Sequence, residues 1–157
     1  MKEERRKKKN AEVRVLYERA TKVCSSFFDE EYHYDATEAV EELGLDEELI
    51  HQLLEDYINQ IIKAIMAFEE MLYVLQSRVD AKLEIDYTEL RNLAHKNLGV
   101  ARNLRIKDAE TLLNKMMKED DLESLFLFIE ALRACAIKLN PEFTFNAIKL
   151  IEIKSTF

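Results

Sequence analysis

The chain has 157 residues, a formal net charge of −8, two glycines and one proline. That length fits one domain, and so few turn-forming residues exclude sandwiches, barrels and other folds that depend on many tight turns. Hydrophobic residues at 48% are enough to build a core and too many for a disordered chain. No apolar run approaches the roughly 20 residues of a membrane span. The basic start is not followed by the apolar block of a signal peptide, so the reading is a soluble, cytoplasmic, all-α protein without a membrane span.

Charge is unevenly spread. Residues 2 to 9 carry six cations against two carboxylates, a local +4 that leaves −12 for the remainder of the −8 chain. An acidic body argues against nucleic acid as a partner, and the basic stretch reads as a solvated helix start.

The first periodic segment places Val13, Leu16, Ala20, Val23, Cys24 and Phe27 on one helical face, predicting a helix over about 9 to 28. A helix of this length suits either a coiled-coil arm or packing against a bundle. Residues 28 to 34 lose the periodicity and read as a connector. Asp35 and Glu38 have capping-box spacing, and Gly44 is placed to close a short helix in the left-handed conformation. Asp46 then opens a stripe from Leu49, Ile50 and Leu53 through Phe68 and Leu72 to Leu75. It predicts a helix of about 48 Å reaching about Ser77.

Asp86 and Glu89 repeat the capping spacing before Leu90, Leu93, Ala94, Val100, Ala101 and Leu104. Another helix runs through Ile106, Ala109, Leu112, Leu113 and Met116 to a charged turn at 118 to 121. Asp120 with Glu123 reads as a third box, leading into Leu125, Phe128, Ile129, Leu132, Ala136 and Leu139. Asn140-Pro141 ends that helix or starts another, and Phe143 to Ile153 is ambiguous between helix and extended chain. Brief turns between helices favour antiparallel neighbours, so the expected fold is all-α, an antiparallel up-down four-helix bundle with an additional N-terminal helix. The expected partition is an N-terminal helical extension and connector at 1–33, the bundle at 34–139 and a C-terminal tail at 140–157.

Cys24 and Cys135 lack metal-ligand spacing and fall among apolar helical neighbours. They read as buried thiols, with a single disulfide left open. His33 lies in the connector and His51 on the polar side of the long helix, neither with a ligand partner, so no metal site is expected. His95 differs because it stands at the edge of its helix's apolar stripe, facing solvent, with Gly99 one turn later on the same face. Glycine inside a helix costs about 1 kcal/mol relative to alanine, and its missing side chain would leave the imidazole open to a flat partner surface. Arg91 and Arg102 share that face and are placed to hold an anion.

The stretch Leu93-Ala94-His95-Lys96-Asn97-Leu98-Gly99-Val100-Ala101-Arg102-Asn103-Leu104 resembles the histidine-containing phosphotransfer (HPt) domain of bacterial two-component phosphorelays. Ala-Val-Glu-Glu-Leu-Gly-Leu-Asp-Glu-Glu-Leu-Ile is similar to that family's entry into its first long helix, and the likeness spans about residues 34 to 139. The family pattern, roughly Ala-His-x-Leu-Lys-Gly, is departed from at Asn97-Leu98. The expected lysine is absent, Leu98 would stand beside the ring, and Asn97 takes a core-facing slot.

The resemblance implies a phosphocarrier without catalytic activity of its own and without a cofactor. His95 would be the phosphoacceptor, taking the group from an aspartyl phosphate on a receiver domain that supplies magnesium, then passing it to a second receiver. Arg91, Lys96 and Arg102 would offset phosphate charge, Gly99 would give clearance, and Leu49, Leu53, Leu93 and Leu104 would be scaffold. The alternative is a non-phosphorylated helical adaptor that binds a receiver or kinase domain, with Leu98 as an exposed apolar contact. No paired carboxylates, nucleophile elbow or phosphate loop points to an independent enzyme.

Overall fold

The computed structural model describes residues 1–155, and seven helices occupy them: α1 (Lys2–Phe27), α2 (Ala36–Leu43), α3 (Glu47–Asp80), α4 (Thr88–Asn103), α5 (Lys107–Met116), α6 (Leu122–Leu139) and α7 (Pro141–Ser155). Carboxylate caps start several of them by accepting bonds from backbone N–H groups that have no partner within the helix. Asp35 accepts from the Thr37 and Glu38 amides at 2.9 and 3.2 Å, and Asp46 from the Leu49 amide at 2.8 Å. Gly44 closes α2 at φ 68°, in the left-handed region.

Three boundaries differ from expectation. Helix α1 begins at Lys2 rather than near residue 9. Lys, Arg and Glu are good helix formers, and Glu3 and Glu4 lie in the first turn, where the helix dipole favours negative charge. The cap of α6 is Asp121, which accepts from the Ser124 amide and hydroxyl at 3.2 and 2.7 Å. Asp120 and Glu123 therefore do not form the expected box, because Asp120 turns away to Arg91. Asp86 accepts from the Thr88 amide at 2.9 Å, one residue short of the box expected with Glu89. The segment after Pro141 is helix, with Asn140 Oδ1 accepting from the Phe143 amide at 3.2 Å.

Helix α6 is the centre of the packing. Ala131, Leu132, Ala134, Cys135, Ala136 and Ile137 are all buried, which leaves almost no face of its middle turns for solvent. It packs against α1, α3, α5 and α7, while α4 lies against α3 and α5. The core joins Ile58, Ile61, Ile65, Phe68 and Leu72 of α3 to Leu112, Leu113 and Met116 of α5 and to the inner face of α6. Leu49, expected as scaffold at the start of the α3 stripe, is exposed, while the adjacent Ile50 is the side chain of that turn that enters the core. Helix α1 lies on α6 and α7 within the chain.

The connector at 28–35 is tied down. The Tyr32 hydroxyl donates to the Arg105 carbonyl at 3.0 Å and the Tyr34 hydroxyl to the Leu104 carbonyl at 2.7 Å, so both brace the α4–α5 corner. Arg105 takes φ 64° there, and its guanidinium pairs with Glu42 of α2. No helix among the described residues is long and apolar enough to cross a membrane.

Burial separates two α3 positions that look equivalent in sequence. Phe68, fully buried, loses its packing in Phe68→Ala at a cost of about 3–5 kcal/mol, whereas Leu49→Ala stays within about 0.5 kcal/mol. Urea denaturation followed by circular dichroism measures both.

Candidate functional site

Helix α4 faces the core with Leu90, Ala94, Asn97, Leu98 and Ala101, while Leu93 and Val100 are half-buried. The buried arc is therefore turned toward Leu98 relative to the stripe read from sequence. His95 and Gly99 fall outside it, exposed and one turn apart. The imidazole makes no hydrogen bond or ion pair with the described residues, so its ring nitrogens remain free for chemistry with an incoming group.

Gly99 is not demanded by packing within the chain. A Cβ built on it meets nothing within 4 Å, and its φ is not in the left-handed region. The helical propensity lost there has no intramolecular compensation, consistent with clearance for something outside the molecule.

Leu98 is the main correction to the expected site. It is 4% exposed and part of the core, so it neither stands beside the ring nor forms a contact surface for a partner. Residues three apart on a helix are separated by about 60° around its axis, and the rotation of α4 carries that angle into the interior. Asn97 makes the rotation affordable. It is 1% exposed, its Nδ2 donates to the Leu93 carbonyl at 2.9 Å, and its Oδ1 accepts from Gln60 Nε2 of α3 at 3.3 Å. A buried amide without such partners would cost about 1–3 kcal/mol. Gln60 was not singled out by sequence reasoning, since only the α3–α4 contact reveals its role.

The three cations near His95 differ in availability. Arg91 Nη2 bonds Asp120 Oδ1 at 2.5 Å, its guanidinium lies 5.1 Å from the Tyr87 ring centroid, and its Nε is buried without a partner. Tyr87 donates to the Asp120 carbonyl at 2.5 Å, and its phenol is raised above its ordinary pKa by desolvation and then by the Asp120 carboxylate. Arg91 is thus a brace between α4 and the α5–α6 turn before it is an anion ligand. Arg102 pairs with Glu110 at 3.2 Å, although both remain partly open to water. Exposed ion pairs of this kind contribute little and exchange readily. Lys96 is exposed and pairs with none of the described residues.

The other histidines are elsewhere. His33 and His51 are exposed, approach Glu31 and Glu47 at 3.5 Å each, and line one cavity of about 370 Å³ with Tyr32, Asp108, Cys135 and Lys138. Among the described residues no group of three or more His, Cys, Asp or Glu side chains is arranged to hold a metal ion. The gathering of Tyr32, Asp108 and Lys138 had no local signal in the sequence, because they come from the connector, α5 and α6.

Comparison with protein-family models, curated proteins and solved structures returns no match for this chain. The likeness to phosphotransfer domains therefore rests on the sequence residues quoted above alone.

Two substitutions test this geometry. Gly99→Ala fills open space on a helix and is expected to stabilise the fold by about 0.5–1 kcal/mol, measured by thermal or urea denaturation. Leu98→Lys buries an ammonium without a partner and is expected to destabilise by more than about 3 kcal/mol. A near-neutral result for the lysine would place Leu98 back at the surface.

Proposed function

We propose that this chain is a histidine phosphotransfer protein of a two-component relay, with His95 as phosphoacceptor. The observation that carries the reading is an exposed, unengaged imidazole one helical turn from a glycine that packing does not require. In this reading α3, α4, α5 and α6 are the antiparallel up-down bundle, residues 1–33 are an extension and connector, and 140–157 are an added tail. The mutual neighbours α3–α4, α4–α5, α5–α6 and α3–α6 support that arrangement.

The chemistry asked of the chain is small. A neutral His95 nitrogen attacks the phosphorus of a receiver's aspartyl phosphate, the N–P bond forms, and the acyl-phosphate P–O bond breaks to return the carboxylate. The receiver's magnesium ion and cations carry most of the charge stabilisation. Lys96 is the cation this chain has free to add, and Arg102 joins it by releasing Glu110. Gly99 leaves room for the receiver's surface at the ring. The adaptor reading drew its support from an exposed Leu98, and burial of that side chain removes it.

The test is transfer from a phosphorylated receiver of the source organism. Wild type should acquire an acid-labile, base-stable phosphoryl group, and His95→Gln should lose it while keeping its helical content. Gly99→Ala should fold normally yet slow transfer on the order of ten- to a hundredfold, since small displacements of reacting groups have costs of that size. A wild type that takes no label from any receiver, or label that survives in His95→Gln, overturns the proposal.

A further inference from the structure

Cys24 lies near the end of α1 and Cys135 in the middle of α6, 111 residues apart in sequence. Both thiols are free and buried, on two helices that pack directly against each other, and the Cys135 side chain is near enough to perturb the Cys24 thiol. The Asp108 carboxylate of α5 lies beside Cys135 and lines the same cavity. Lys138 is one turn beyond Cys135 on α6, with its side chain only 9% exposed and its ammonium 3.6 Å from Glu31. This is a polar cluster set into an apolar seam, and inert packing of two small side chains does not call for it.

The cluster is reachable. A cavity of about 190 Å³ is lined by Cys24 and one of about 370 Å³ by Cys135, and Tyr32, Asp108 and Lys138 border both. A water molecule occupies about 30 Å³ of liquid, so a peroxide of little more than that size fits either opening. The two sulfurs are also unequal. The neighbouring Cys135 side chain pulls the Cys24 thiol below its ordinary pKa, with the Lys138 ammonium acting in the same direction. The same proximity and burial push Cys135 up. Desolvation raises Asp108, making its carboxylate a better proton acceptor.

We propose that Cys24 and Cys135 form a peroxide-responsive thiol pair that closes reversibly into an intramolecular disulfide, fastening α1 to α6. The Cys24 sulfur attacks one peroxide oxygen, the O–O bond breaks, and the departing oxygen leaves as water with a proton, leaving a sulfenic acid. The Cys135 sulfur then attacks the Cys24 sulfur, the S–O bond breaks, and the hydroxyl departs as a second water with the proton that Asp108 takes from Cys135. Two thiols and one hydrogen peroxide yield one disulfide and two waters: the sulfurs are oxidised by two electrons and the peroxide is reduced by two. A dithiol reverses the closure by exchange. None of this rests on His95.

The experiment uses the full chain, reduced and then exposed to a small excess of hydrogen peroxide. Thiols titrated under denaturing conditions should fall from two to none. The intact mass should drop by two hydrogens, the product should remain monomeric on a non-reducing gel, and dithiothreitol should restore both thiols. The crosslink should raise the melting temperature on the order of 10 °C, since it closes a long loop. Cys135→Ser should stop at a sulfenic acid on Cys24 that dimedone traps, Cys24→Ser should leave Cys135 unreacted, and Asp108→Asn should slow closure about tenfold while both thiols remain. Two free thiols after treatment, over-oxidation to sulfinic acid without closure, or only intermolecular crosslinks would overturn the proposal. The wild-type thiol count and mass decide it even if a serine variant does not fold.

Discussion

Helix α6 has to be enclosed. With Ala131, Leu132, Ala134, Cys135, Ala136 and Ile137 all buried, its middle turns offer water little beyond Glu130 and Arg133, and a helix apolar around most of its circumference is stable only when walled in. The walls are α1, α3, α5 and α7. Once α3 and α5 are committed to α6 on their inner sides, α4 can lie only across their other flanks, with one face inward and one outward. The rigid outer platform that carries His95 follows from how the opposite side of the molecule is filled.

The polar groups drawn into this interior do two different things. Asn97 and Gln60 bond one another between α4 and α3, Asn97 also bonds the Leu93 carbonyl, and in this orientation of α4 Leu98 is buried while His95 stays exposed. Their hydrogen bonds are few but directional, and without them a buried amide would stand in the core unsatisfied. Cys24, Cys135, Asp108 and Lys138 instead form an uneven cluster in which one thiol is made more acidic and the other less so. The first arrangement is a structural lock, and the second has the character of a reactive centre.

The arginines illustrate why charge near a candidate site cannot be read from helical spacing alone. Arg91, four residues before His95, shares its face in sequence, yet Asp120 from the α5–α6 turn and the Tyr87 ring claim its guanidinium. Arg102 has Glu110 within reach from α5. Helical spacing tells which side chains share a face, but competition from neighbouring elements decides which of them are available.

Periodicity and caps in the sequence were sufficient for Asp35, Asp46 and Gly44 as boundaries, for the exposure of His95, for the need to partner Asn97 and for the first six helices, but not for α7. These are local matters, decided within a few residues by backbone hydrogen bonding and the helical repeat. The burial of Leu98, the exposure of Leu49, the tethering of Arg91 and the meeting of Cys24 with Cys135 were settled only in three dimensions. Each depends on which surface of a helix a distant segment covers, and an edge position on an amphipathic helix has no local energy that chooses between core and solvent.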